Sequence, residues 1–456
     1  MTSNTINISC AINGRLDPHQ FHHERVDMIN NICLSGDWCR LKNVVKNVKT
    51  ITTSLSADDI YIGLENIVSD SGDYVPTSNK DTISSAAIFK KGDILFPKLR
   101  PYLNKVHRAE FAGKCSTEFH VLEAVGINPD FLTIILRSKM VLAQTKHLMT
   151  GNTLPRLQTY DVENIIIPLP PIETQQQIVD IYTTAQKTKQ AKEEQANTLL
   201  DSIDDYLLSQ LGIILPTKDN SHIEDANYKI KLSGLLGKRY DPYYHNPYFY
   251  TAFQELNKSK FHLQSLGEIS TLITSGMTPK SGGDAYTNAE NGVAFIRSGD
   301  IDISGEIDFD NLLYIKHEVH NTTMKSSHVK DNDIMIAIVG ATIGQVGIYH
   351  SNKEANINQA IALVRLKDGY MPEYIKEVIK SSIGQLNLDR LKRPVARANI
   401  NLEEISSMLI PVPETETQNE IVKNIVSIRE QAKQLLKKGV ELLEQTKKDI
   451  EKIILD

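Results

Sequence analysis

Eleven cations crowd the stretch from Phe89 to Arg156: Lys90, Lys91, Lys98, Arg100, Lys105, Arg108, Lys114, Arg137, Lys139, Lys146 and Arg156. Only Asp93, Glu110, Glu118, Glu123 and Asp130 stand against them, in a chain whose formal net charge is −6. Positive side chains gathered this way suit a polyanion. Lysine and arginine hold phosphates, and arginine can also read guanine edges in the major groove. The candidate contacts fall where the text reads as loop: Lys98, Arg100, Tyr102, Lys105, Arg108 and Arg156. A second set lies in polar loops of the other half: Lys280, Arg297, Ser298, Arg393 and Arg397. Any one of these is ordinary solvated surface when taken alone. As two similarly placed groups they point to two DNA-reading faces.

Catalytic chemistry has no comparable signal. The chain contains no GxxxxGK[ST], no carboxylate–lysine nuclease set and no glycine-rich cofactor loop after a strand. Asn246-Pro247-Tyr248-Phe249 invites comparison with the N/D-P-P-Y/F motif of adenine methyltransferases, but the second proline is missing. Asparagine capping a helix with proline at its first position is the better reading. Cys10, Cys33, Cys39 and Cys115 form no CxxC pair, and with His22 and His23 they match no zinc spacing. They read as free thiols of a reducing cytosol, with no metal site. The first residues carry neither a basic n-region nor an apolar h-region, so a cytoplasmic location is expected. The longest apolar run, 334–349, is interrupted by Gly340, Gly344, Gln345 and Gly347 and reads as strand–turn–strand rather than a membrane span.

At 456 residues, 41% hydrophobic and 23% charged, the chain suits two or three globular domains. Its acidic balance excludes a protein that coats nucleic acid without specificity, while leaving room for local basic faces.

What must position those faces is a repeat. IPLPPIETQQQIV at 167–179 returns as IPVPETETQNEIV at 410–422, with every pair offset by 243. Ile165, Ile166 and Ile167 form a β-branched run suited to a buried strand, and the prolines that follow predict its end. Glu173 and Glu416 fall in the first helical turn, where a negative side chain suits the macrodipole. Thr174, Pro171 and Ile172 are alternative helix starts. Long helices are expected over 175–211 and 418–455, each about 55 Å long. Their apolar stripes run through Ile178, Ile181, Ala185, Ala196, Leu199, Ile203 and Leu207, and through Ile421, Ile425, Ile428, Ala432, Leu435, Gly439, Leu442 and Ile453. Two matched stripes favour each other as an antiparallel pair. Further landmarks recur: GRLDP at 14–18 and KRYDP at 238–242, each before a short aromatic and histidine-rich helix; Asp93-Ile94 and Asp333-Ile334; helices at 128–139 and 371–382. Strands are expected at 61–64, within 89–96 on either side of a turn at Lys91-Gly92-Asp93, and at 294–297 and 331–336. Between landmarks the halves differ freely.

The P-L-P-P-x-E-x-Q-x-x-I-V stretch, present twice and each time leading into a long helix, resembles the specificity subunit of type I restriction-modification systems across essentially the full chain. Glu414 in place of Pro171 departs from it. The resemblance implies a mixed α/β (α+β) fold with two pseudo-symmetric target-recognition domains separated by two long antiparallel coiled-coil helices. The domains would span 1–170 and 229–411, the helices 171–212 and 412–456, with a linker at 213–228. It further implies a non-catalytic subunit that binds no cofactor itself and reads a bipartite, asymmetric double-stranded DNA site in defence against foreign DNA. Pro168, Pro170, Glu173, Gln175, Pro411, Pro413, Glu416 and Gln418 would start the helices and dock two modification subunits. Those bring S-adenosylmethionine and methylate adenine N6, while restriction subunits use ATP and Mg to translocate and cleave. The rival readings are a protein-binding scaffold or DNA-mimic regulator on the same duplicated fold, and a self-contained methyltransferase with degenerate motifs.

Overall fold

The proline rule predicts that the strand stops before each repeated proline, yet each proline is the strand's last residue. Ile166–Pro168 pairs antiparallel with Trp38–Arg40, and Leu409–Pro411 with Leu263–Ser265. In the first pair, the N–H of Leu41 donates to Ile165 and that of Leu169 to Asp37. In the second, Leu266 donates to Met408 and Val412 to His262. These bonds place Pro168 and Pro411 where an N–H would point away from the partner strand, so the ring removes no ladder bond.

The computed structural model of the chain describes residues 18–54, 56, 59–76, 84–149, 155–216, 229, 239–280, 282–393 and 398–455. Gly14 to Asp17, Lys238, Arg397, Cys10 and most of the expected linker lie outside the described residues. Two compact units emerge, Met1–Glu194 with Leu435–Asp456, and Gln195–Gln434.

Each unit is built on a four-stranded antiparallel sheet of the same strand order. In the first it runs Val45–Val48, Phe119–Ala124, Ile94–Pro97, His107–Arg108; in the second, Ser270–Ser275, Ile361–Leu366, Ile334–Ala337, Val346–Ile348. The expected turn into the central strand is the same in both. The Asp93 carboxylate accepts from the N–H of Lys90 at 2.7 Å, and the Asp333 carboxylate from that of Lys330 at 2.7 Å. A second sheet in each unit contains one parallel pairing, Tyr61–Ile62 with Gly113–Cys115 and Gly292–Ile296 with Ala355–Ile357. It holds four strands in the first unit and five in the second among the described residues. The strand expected at 61–64 is shorter than predicted, giving way to a 3-10 turn at Leu64–Asn66.

The helices expected at 128–139 and 371–382 are Pro129–Arg137 and Pro372–Lys380, each followed by another, Lys139–Thr145 and Ser382–Leu391. Both break at a serine in extended geometry. The Ser138 and Ser381 hydroxyls bond back to the carbonyls of Ile135 and Val378, both at 2.7 Å, which competes with continuation of the helix.

Long helices span Ile172–Leu211 and Thr415–Leu455, 40 and 41 residues, or about 60 Å each at 1.5 Å per residue. Both begin five residues after the Ile167 or Ile410 that opens the repeat, so Glu414 for Pro171 leaves the start unchanged. In the first unit, Ile178, Val179 and Tyr182 share one core with Ile450 and Ile454. Gly439 there faces the Lys189 backbone so closely that an added Cβ would lie 3.5 Å from its Cα. In the second unit, Leu207, Leu208 and Leu211 share a core with Ile421, Val422 and Ile425. Asn424 Nδ2 donates to the Tyr206 hydroxyl at 2.8 Å. Rising numbers on one helix therefore meet falling numbers on the other in both units, which is antiparallel packing.

The stripes need three corrections. Ile181, Leu442 and Ile453 are exposed, and Tyr182, Leu443 and Ile454 turn inward instead. The heptad through Ala432, Gly439 and Thr446 stays buried. Apolar doublets at Leu442-Leu443 and Ile453-Ile454 place one residue on either side of that seam, so sequence spacing could not choose between them. No helix among the described residues is long and apolar enough to cross a membrane.

Candidate nucleic-acid interface

The basic loop of the first unit is fixed by three backbone bonds. The N–H of Lys98 donates to Glu118 (2.7 Å), that of Leu157 to Lys98 (2.9 Å) and that of Arg100 to Pro155 (2.9 Å). The second unit repeats them: Ile338 to Ala360, Ile400 to Ile338, Gly340 to Ala398. Lys98, Arg100 and Arg156 are thus brought together on one crossing, Leu99 bridging to Arg156 as Val339 does to Asn399.

Most of the cations predicted for this face are tied to their own chain. Lys98 Nζ donates to the Thr117 carbonyl at 2.7 Å, and burial lowers its pKa. Arg156 makes a two-pronged pair with Glu118, both bonds 2.9 Å, which raises its pKa. Lys105 Nζ donates to the Leu64 carbonyl at 2.9 Å, and Arg108 pairs with Asp130. Arg100 is exposed, and Tyr102 is 45% exposed.

In the second unit Arg297 clasps Asp300 through Nε (3.0 Å) and Nη2 (2.6 Å). Ser298 is half-buried in the 3-10 turn that this pair closes. Arg393 reaches Glu404 at 3.4 Å, and the same carboxylate faces Arg239. Lys280 is exposed. Arg390 belongs to the interior: its guanidinium lies 4.1 Å from the Tyr244 ring centroid and 4.6 Å from that of Phe253, and burial lowers its pKa. Asn246 Oδ1 accepts from the N–H of Tyr248 (2.9 Å), capping Pro247–Leu256. The N-P-Y-F sequence is a helix start.

The repeated stretch itself is a clamp. Gln175 is 3% exposed and Gln418 is 1% exposed. Gln175 Oε1 accepts from the N–H of Asn128 (2.9 Å), while its Nε2 donates to the Pro170 carbonyl (2.8 Å). Gln418 does the same with Met371 (3.0 Å) and Pro413 (2.9 Å). One amide thereby ties the start of the long helix to the N-terminus of the domain's own helix. Pro168, Pro411 and Pro413 are buried and Pro170 is half-buried, whereas Glu173 and Glu416 are exposed.

A second matched device escaped the sequence reading. Arg137 Nε donates to the Val106 carbonyl at 2.8 Å and Nη2 reaches that of Gly72; at the same offset of 243, Lys380 donates to Ser304 beside Gly305. Gly72 (φ 70°) and Gly305 (φ 89°) are left-handed and pressed against the Val106 and Val346 carbonyls, where a Cβ would collide. The only sequence signal was a cation-serine pair, Arg137-Ser138 and Lys380-Ser381, recurring at the repeat's own spacing.

Cys33 is half-buried and Cys39 and Cys115 are buried; burial pushes all three thiols up, Cys115 to about 12. His22, Glu24 and His147 approach one another closely enough to share an ion. Lys146 already pairs with Glu24 at 2.6 Å, His147 Nε2 lies 3.0 Å from the same carboxylate, and the His22 and His147 rings stack 3.7 Å apart.

A family model for the type I restriction modification DNA specificity domain matches residues 42–200 and 257–451, once in each half. The specificity subunit of the Escherichia coli type I restriction enzyme EcoBI is 34% identical over 139 residues, 30% of this chain and 28% of that protein. That of the E. coli enzyme EcoDI is 26% identical over 197 residues, 42% and 44% of the two chains. These matches span less than half of either relative. A solved chain, described under complex assembly and conformational transition of the type I R-M system, covers 92% of this chain and 96% of its own. Its TM-score is 0.51 at 20% identity, a likeness of fold. With the family model matched across both halves, the chain belongs to the type I restriction-modification DNA specificity family.

Proposed function

We propose that this chain is the non-catalytic, sequence-reading subunit of a cytoplasmic type I restriction-modification complex, each unit reading one half of a split, asymmetric site in duplex DNA. The observation that carries this reading is a scaffold repeated bond for bond while the exposed loops diverge. Gln175 and Gln418, the Asp93 and Asp333 turns, and the crossings at Arg100 and Gly340 coincide. Around them, the Arg297 guanidinium clasp on Asp300 has no counterpart at Gly63 and Asn66 in the matching turn, and the second sheet holds five strands rather than four among the described residues. Two copies of one frame presenting two surfaces suit two different half-sites.

The exposed Glu173 and Glu416 at the helix starts favour docking of two modification subunits, with restriction subunits joining that core. S-adenosylmethionine, ATP and Mg belong to those partners; this chain holds none of them. The candidate DNA contacts remain Lys98, Arg100, Tyr102, Lys105, Arg108 and Arg156 in the first unit. In the second they are Lys280, Arg297, Ser298, Arg393 and Arg397. A cation bonded to its own chain can still lend a face its charge, and salt dependence would report it.

The test is a map of methylated adenine in the host with the gene intact and deleted. Loss of one split motif, two short halves around a fixed gap, is expected. Retention of every motif would refute the proposal, and methyl transfer by the purified chain alone would replace it with the enzyme reading.

A further inference from the structure

Arg100 occupies a backbone conformation that its own sequence neighbours oppose. Its φ and ψ are 48° and 55°, the left-handed region. Side chains other than glycine, asparagine and aspartate seldom adopt it. The following residue is Pro101, which already pushes its predecessor toward extended geometry. The conformation is imposed from outside, by the bond from Arg100 N–H to Pro155 and by Leu103 N–H donating back to the Arg100 carbonyl at 2.9 Å.

The duplicate shows what an unburdened sequence places there. The equivalent crossing residue is Gly340, at φ 77°, and a Cβ built on it would meet nothing within 4 Å. The position points outward into open space. Four residues on, Asn104 (φ 51°) answers Gly344 (φ 96°). The second unit thus meets the geometry with two glycines, while the first accepts an arginine at the more exposed position. Of Lys98, Arg100, Lys105, Arg108 and Arg156, Arg100 is the one whose side chain makes no hydrogen bond or ion pair to the described residues.

From these observations we infer that Arg100 is the principal side-chain contact of the first unit to its DNA half-site, a contact with no side-chain counterpart at Gly340 in the second unit. The inference rests on the DNA-reading proposal. Strain of this kind persists where the surrounding structure fixes it and a ligand makes use of it. The fixed loop also holds the guanidinium's root in place, so less side-chain freedom remains to be lost on binding. The two half-sites would then be gripped differently, one through an arginine and the other without it.

Arg100→Gly separates strain from contact, because it installs the residue that the second unit already uses. The assay takes the full chain assembled with its modification subunits, and a duplex carrying the motif mapped in the host. A scrambled duplex serves as competitor. The wild-type complex should prefer the motif; if it shows no preference, the DNA-reading proposal itself fails. Given that preference, the variant should melt at the same or a higher temperature while binding the motif at least tenfold more weakly. Its log–log salt slope should fall by about one if the contact is to phosphate. Arg100→Asn, compatible with the same backbone region, should show the same pair of effects. Binding within twofold of wild type by both variants would overturn the inference and leave the DNA-reading proposal standing.

Discussion

Replacing Gln418 by alanine should destabilise the second unit far more than truncating the exposed Glu416 of the same stretch. The amide is 1% exposed and makes two bonds, accepting from Met371 N–H at 3.0 Å and donating to the Pro413 carbonyl at 2.9 Å. Truncation leaves that N–H and that carbonyl buried without partners, at about 1–3 kcal/mol for each. The expected loss is therefore about 2–6 kcal/mol. In a unit of this size each kcal/mol moves the melting point by about 2–4 °C, so a drop on the order of 10 °C is expected. Gln175→Ala should do the same to the first unit. Scanning calorimetry of the full chain is the suitable assay, because two units need not melt as one transition and the change should fall on the unit that carries the substitution. Glu416→Ala is the internal control. That side chain is exposed and only complements the helix dipole, about 0.3–1 kcal/mol. Equal melting shifts for Gln418→Ala and Glu416→Ala would refute the clamp. Gln418→Glu sharpens the test: it keeps an acceptor for Met371 but sets a second oxygen against the Pro413 carbonyl. A proton would restore that bond, so the variant's carboxyl should titrate above its unfolded value and its stability should fall as pH rises through that point.

Arg429 pairs with the buried Glu377 through two bonds of 2.7 and 2.6 Å, where the first unit has Gln186 and Ile134 at the common offset. Arg429→Gln alone should cost about 3 kcal/mol by leaving a buried carboxylate with only Lys376, 3.7 Å away, as its cation, whereas Glu377→Ile with Arg429→Gln should recover most of it in denaturant unfolding; a double variant as weak as the single one would sink this view. His120 is buried in the first unit with its pKa held down at about 3 by desolvation. The unfolded chain binds that proton from about pH 6.5 downward, so stability should fall between there and pH 3. His120→Gln should flatten that part of the melting-temperature profile, and an unchanged profile would mean that another group governs acid sensitivity. Deleting one central heptad from both long helices removes about 10 Å, so the gap between half-sites should shorten by about three base pairs in the methylation map. An unchanged gap would show that the helices do not set it.

Much of this architecture was legible because the positions that make both units fold alike kept their residue types. Proline ends the edge strand, glutamine clamps two helix starts, aspartate closes the turn into the central strand; each has a chemistry that few substitutes reproduce. The break after Arg137 and Lys380 was not legible, since serine is compatible with a helix until its hydroxyl turns back on the preceding carbonyl. Nor was the choice within an apolar doublet, because the heptad seam passes between its members. The site resisted for a different reason. Lys98 and Lys105 end on the backbone carbonyls of Thr117 and Leu64, and every residue carries a carbonyl, so no spacing betrays the partner. Glu118 and Arg156 lie 38 residues apart, across a strand and two helices, so no local spacing pairs them. Local charge therefore identified the class of ligand but could not tell a bonded cation from a free one. That distinction comes from comparing equivalent backbone bonds, where the crossing at Lys98 matches Ile338 at an offset of 240 while Pro155 matches Ala398 at 243. The shift in offset hides Arg100 from an alignment with Gly340 at the repeat's own spacing of 243. Hydrogen-bonding geometry, unlike residue type, survives the insertion, and it is what exposes Arg100 as a position where the first unit carries a side chain that the frame itself does not need.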